Sequence, residues 1–169
     1  MKLRLIDPER LIPDAHVAAE ASVRGVEVLI IEHLRKKNAG TQPNLYGLPK
    51  TNYYAEAAKN VAAGVAGNKV NVEIDHPGLA MHYEGGTVYP KKKALALPID
   101  PAVAGIWPSE YSQDHKLFKT PGGALGDAET GKILYILLPK ATIPEDKTVL
   151  PTDAEIFGAV EEALMEAVS

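Results

Sequence analysis

The sequence predicts an α+β fold: an antiparallel or mixed sheet of about four to five strands with a long N-terminal helix, an Ala-rich helix and a C-terminal helix packed on it. Three observations carry this. The run from Ala15 to about Lys37 is free of proline and repeats apolar residues at helical spacing. Lys69 to Asp75 alternates polar and apolar residues, the pattern of a half-buried strand. Lys132 to Leu138 is a nearly unbroken apolar run, the pattern of a central strand covered on both faces.

The first helix has Asp14 as its N-cap and Arg35, Lys36 and Lys37 in its last turn, where basic groups complement the helix dipole. Ala19, Val23, Val26, Ile30 and Leu34 form a stripe that faces the sheet. A second strip, Val17, Ala21, Val28 and Ile31, lies well around the helix from the first. A helix apolar on two sides is buried on two sides, either under another part of the same chain or under a neighbouring subunit. Asn38-Ala39-Gly40 is expected to end the helix in a left-handed turn, with a loop through Pro43, Gly47 and Pro49.

Thr51 is placed to cap a second helix from Asn52 to Ala66, rich in alanine. Val70, Val72 and Ile74 of the following strand point inward. His76-Pro77-Gly78 breaks it, and Leu79 to Tyr83 has room for one helical turn. Gly85 and Gly86 permit a sharp corner, and Pro90 fixes its own φ and donates no backbone hydrogen bond. After Lys91, Lys92 and Lys93, the alternation Ala94-Leu95-Ala96-Leu97 is a short strand with both leucines directed into the core, which Pro98 ends or confines to a sheet edge. Residues 99–131 hold Pro101, Pro108 and Pro121 and are expected to be an irregular loop and hairpin region. Within it Lys116 to Lys119 is a strand, and Thr120 to Gly131 is a glycine-rich hairpin whose ordering needs a partner. Thr152-Asp153-Ala154-Glu155 is a capping box that starts the last helix, whose stripe is Ile156, Val160, Ala163 and Ala167, broadened by Phe157 and Leu164.

The 169 residues are expected to make one α+β domain over 1–169, long enough to bury a core without covalent staples. With no cysteine, neither a disulfide framework nor a cysteine zinc site can form. No apolar run approaches the length of a membrane span, and no signal-like apolar region follows the first residues. A net charge of −4 argues against a dedicated nucleic-acid binder. The acid is concentrated in Asp153, Glu155, Glu161, Glu162 and Glu166, and the base in Lys91 to Lys93. The simpler reading is two solvated faces; the electrostatic alternative is a contact between them, within or between subunits.

Chemistry is sparse. Thr120-Pro121-Gly122-Gly123 lacks the glycine-lysine ending of a phosphate-cradling loop, and no nucleophile motif stands out. His76 and His82 with Asp75 and Glu84 are the one cluster from which a metal-dependent hydrolase could be assembled. Their spacing does not match two histidines on one helix face, and a structural role is the preferred reading. No catalytic residue, metal or cofactor is assigned.

His76-Pro77-Gly78-Leu79-Ala80, Gly85-Gly86-Thr87 and Pro90-Lys91-Lys92-Lys93-Ala94-Leu95-Ala96-Leu97-Pro98 together resemble the tailed-phage virion morphogenesis family, the tail completion or head-tail joining proteins. The resemblance extends more faintly to Pro43-Asn44-Leu45-Tyr46-Gly47, Tyr53-Tyr54, Ile133 to Leu138 and Val149-Leu150-Pro151. It implies a non-enzymatic virion protein, assembled in the host cytoplasm, that forms a homo-oligomeric ring in the neck or tail, hexameric by resemblance. Other tail and neck proteins are its implied partners, and DNA meets it only in passage through the ring. Val17, Ala21, Val28, Ile31 and Lys91 to Lys93 are the expected subunit contacts, and Gly85, Gly86 and Pro90 the structural turn.

Overall fold

The computed structural model describes residues 2–5, 15–42, 46–66 and 69–167. It is a mixed α+β structure with antiparallel sheets, as the sequence predicts. Among the described residues the expected single sheet is instead three: one of three strands, one of two and one of four. The chain divides into two compact units, one of Met1–Gly40, Asn52–Gly85 and Pro144–Ser169, the other of Thr41–Thr51 and Gly86–Ile143.

In the first unit, strands β1 (Lys2–Leu5), β2 (Val61–Ala66) and β3 (Lys69–Ile74) pair in the order β1-β3-β2. Helix α1 (Ala15–Gly40) packs against β2 and β3, and against α2 (Tyr53–Lys59) and α5 (Asp153–Ala167). The alternation in β3 does what its period requires: Val70, Val72 and Ile74 are all buried. They meet Val26, Ile30 and Leu34 of α1, and Ile156, Val160 and Leu164 of α5 complete the same core. The capping box forms, with the Glu155 amide donating to Thr152 Oγ1 at 3.3 Å and the Thr152 amide donating to Glu155 Oε2 at 2.7 Å. Phe157, expected to broaden the α5 stripe, is exposed.

Two expectations here are corrected. The Ala-rich segment is not one helix to Ala66: it closes at Asn60, whose side-chain amide donates to the Glu56 carbonyl at 3.1 Å, and continues as β2. Alanine favours helix only weakly, whereas β2 completes six ladder positions against β3, from Val61 opposite Ile74 to Ala66 opposite Lys69. Gly40 stays inside α1 and is not among the glycines of positive φ, so the expected left-handed ending is absent. The Asp14 cap and Pro43 lie outside the described residues.

His76-Pro77-Gly78 leads into the one-turn helix α3 (Leu79–Glu84), and Gly85 follows with φ 74° and ψ 168°. In the second unit, β4 (Gly86–Val88) pairs with β9 (Ala141–Ile143), while β5 (Leu95–Pro98), β6 (Leu117–Lys119), β7 (Ala124–Asp127) and β8 (Ile133–Leu138) form a sheet in the order β5-β8-β7-β6. Leu134 and Tyr135 of β8 are adjacent and both buried, so at this point the central strand is covered on both faces. Strand β5 is an edge, as Pro98 requires, but its leucines do not both point inward: Ala96 packs against the core, Leu95 is half-buried and Leu97 is exposed. Tyr135, fully buried, fills that core and leaves a place for the small side chain.

Residues 99–131 are more ordered than expected. Asp100 caps a 3₁₀ turn at Pro101–Val103, the short helix α4 (Pro108–Tyr111) follows, and β6 and β7 form a hairpin. Asp127 organises its end: its Oδ1 accepts from the Glu129 amide, the Thr130 amide and the Thr130 hydroxyl, and its Oδ2 from the Tyr111 hydroxyl. The bonds from Thr130 hold its carboxyl below the usual range.

Candidate functional site

A groove of about 1200 Å³ lies in the first unit, formed along α1, α5 and the edge strand β2. Its geometry follows from one close approach. At Gly25 of α1 a Cβ would lie 2.8 Å from the Ala159 carbonyl oxygen and 2.9 Å from Ala163 Cβ, so only glycine lets α5 come this near. Beside the crossing, Val17 and Val28 of α1 are 43% and 48% exposed and line the groove. Val65 of β2, 43% exposed, lines the same groove. The groove thus gathers three exposed valines in one concavity.

Of the second strip, Val17 and Val28 therefore face outward, but Ala21 and Ile31 are partly buried against the chain's own core. The two faces of α1 overlap more than helical spacing suggests, because α5 flanks α1 and β2 and β3 lie under it. Around the apolar residues the groove carries Glu20, Glu27, Glu32, Glu162 and Glu166 against one arginine, Arg24. Glu162 and Glu166 are two of the C-terminal acids singled out in the sequence.

Lys91, Lys92 and Lys93 are exposed on the connection between β4 and β5. The register adds a fourth lysine that the sequence does not reveal. Val88 pairs with Ala141 and Leu95 with Leu138, so the 89–94 connection and the 139–140 connection run from the same ends of the same ladders, and exposed Lys140 joins the group. Tyr89, 68% exposed, begins this corner.

His76 and His82 come together, but on an aromatic residue: their ring centroids lie 4.5 Å and 4.7 Å from that of Tyr53. Burial lowers the pKa of His82, favouring its neutral form. His76 Nδ1 is buried without a hydrogen-bond partner. Among the described residues, no three or more His, Asp or Glu side chains stand together to hold a metal, so Asp75 and Glu84 do not complete a ligand set with the histidines. The cluster reads as packing between α2 and α3, with the Tyr53 hydroxyl donating to the Pro77 carbonyl at 2.9 Å.

Beside it, Lys37 Nζ donates to Asp146 Oδ2 at 2.8 Å and to Thr148 Oγ1 at 2.7 Å, tying the end of α1 to the segment before α5. These bonds, that from Lys37 foremost, depress the Asp146 pKa to about 2. A carboxyl whose folded pKa is depressed contributes stability that is full above its unfolded pKa of about 3.9 and is lost as pH falls through the folded value. Wild type is accordingly expected to lose urea resistance between about pH 4 and about pH 2. Lys37→Met, less stable at pH 7, should lose less over that same window. Parallel pH profiles for the two proteins would refute the coupling.

No known protein family, no curated protein and no solved structure matches the chain.

Proposed function

We propose that the chain is a structural subunit of a tailed bacteriophage that assembles into a ring in the neck, completing the tail or joining it to the head, and that acts by association without catalysis. The observation that carries this reading beyond sequence resemblance is the groove along α1, α5 and β2, with Val17, Val28 and Val65 exposed in it. It is open and lined by both apolar and acidic side chains, which suits a protein surface better than a small substrate. The resemblance through the Gly85-Gly86 corner and the Pro90 to Pro98 block supplies the class of assembly. An acidic chain also suits a channel that DNA crosses without being held, since phosphates are retained by lysine and arginine.

In a ring each contact is heterologous: one surface of a subunit meets a different surface of the next, and the rotation closes. Stable contacts of this kind bury on the order of 1,200 Å² or more. Deleting the gene from its phage is expected to leave filled heads and finished tails unjoined. Joined, infectious particles from the deletion would overturn the proposal.

A further inference from the structure

We infer that the groove of one copy receives the Tyr89 to Lys93 corner of the next, so that the ring contact is an aromatic and lysine knob in an apolar, acidic groove. This rests on the ring reading above and names the two surfaces that would build it.

The two surfaces match in chemistry. The groove offers Val17, Val28 and Val65 to an apolar group, and Tyr89 is an aromatic side chain left largely in water at a turn. Tyrosine is a favoured anchor at protein interfaces because it buries a large rigid area and keeps a polar tip. Around those valines stand Glu27, Glu32, Glu162 and Glu166, and around Tyr89 stand Lys91, Lys92, Lys93 and Lys140. Opposite charge at this density steers the encounter and sets its register.

Helix α5 adds a reason for the cation to come here. Its last turn carries no basic residue, and Glu166 stands in it, beside carbonyls that already make the helix end negative. A lysine from a second copy relieves both. Knob and groove lie on different parts of the sequence, so each copy offers one of each, as a heterologous ring contact requires.

The absence of cysteine makes the contact directly testable. Chains carrying only Ala94→Cys are mixed with chains carrying only Arg24→Cys under mild oxidation, so any mixed disulfide is intermolecular by construction. Ala94 ends the Tyr89 corner and Arg24 is an exposed residue of the groove wall, so Tyr89, the lysines and the groove valines are all kept. The mixture is expected to cross-link about tenfold faster than a mixture of Ala94→Cys with Ser112→Cys chains, because docking raises the local thiol concentration. Raising salt should slow the first pair towards the second. In a charge-swap arm, Lys91→Glu, Lys92→Glu and Lys93→Glu together should remove the excess rate, and Glu162→Lys with Glu166→Lys in the partner should restore it. Equal rates for the two mixtures would overturn the proposal. If native mass then still gave closed oligomers, the ring reading would stand on other surfaces; a monomer would count against both.

Discussion

Gly25→Val is expected to lower folding stability by about 2 kcal/mol or more, the usual consequence of forcing side-chain volume into a filled contact. Even the first added carbon would sit 2.8 Å from the Ala159 carbonyl oxygen and 2.9 Å from Ala163 Cβ. One of these is backbone inside α5, so the contact can be relieved only by moving the two helices apart. That separation opens the core where Val26 and Ile30 meet Val160. Valine is a somewhat better helix former than glycine, but the difference is only a few tenths of a kcal/mol, about a fifth of the packing loss. Gly158→Ala, on α5 itself with nothing within 4 Å of the added carbon, is the matched control and should stabilise by about 0.5–1 kcal/mol. Urea unfolding of both variants checks the pair. Two changes of the same sign would mean that α1 and α5 do not cross as closely as described.

Gly85→Ala should be the second large loss, about 1–3 kcal/mol from backbone conformation alone. With φ 74° and ψ 168°, Gly85 occupies a region open in practice only to glycine. Its added Cβ would also lie 2.9 Å from the Glu145 amide nitrogen, in the segment that holds α3 through the Asp146 amide to His82 carbonyl bond. Gly131→Ala is the comparison without the close approach: its φ is 71°, but nothing lies within 4 Å of the new carbon, so it should cost less than Gly85→Ala. A smaller loss at Gly85 than at Gly131 would contradict the close approach. Of the turn residues expected from sequence, Gly85 takes the left-handed φ, and Gly86 is the first residue of β4, opposite Ile143.

What could be read from the sequence was local. The β3 alternation, the β8 run, the one-turn α3 and the Thr152 capping box each state their structure within a few residues, and each is present as expected. The failures share a cause: a distant partner decided the outcome. Val61 to Ala66 forms a strand because β3 offers it a ladder, and alanine-rich composition carries no trace of that. Ala96, not Leu97, faces the core because Tyr135, on the neighbouring strand, fills it. At the hairpin end only the glycines stand out in the sequence, and the four bonds gathered by Asp127 do not. The groove was half legible. Val17 and Val28 emerge from helical spacing, but Gly25 as the helix crossing, Val65 on a strand edge and Lys140 beside the three lysines depend on tertiary placement. Strand β1 went unread although Leu3 and Leu5 alternate with lysine and arginine, a signal four residues long.

The central claim is that the chain joins head to tail by forming part of the neck, and the most direct measurement adds it back. Filled heads and finished tails are collected from a phage deleted for this gene, mixed with purified chain, and scored for infectious titre and by electron micrograph. The account predicts that titre rises with added protein, that a ring of density appears at the joint, and that the triple Lys91, Lys92 and Lys93 to glutamate variant restores far less. Heads and tails that stay separate at every protein concentration, or that join equally well without it, would contradict the account.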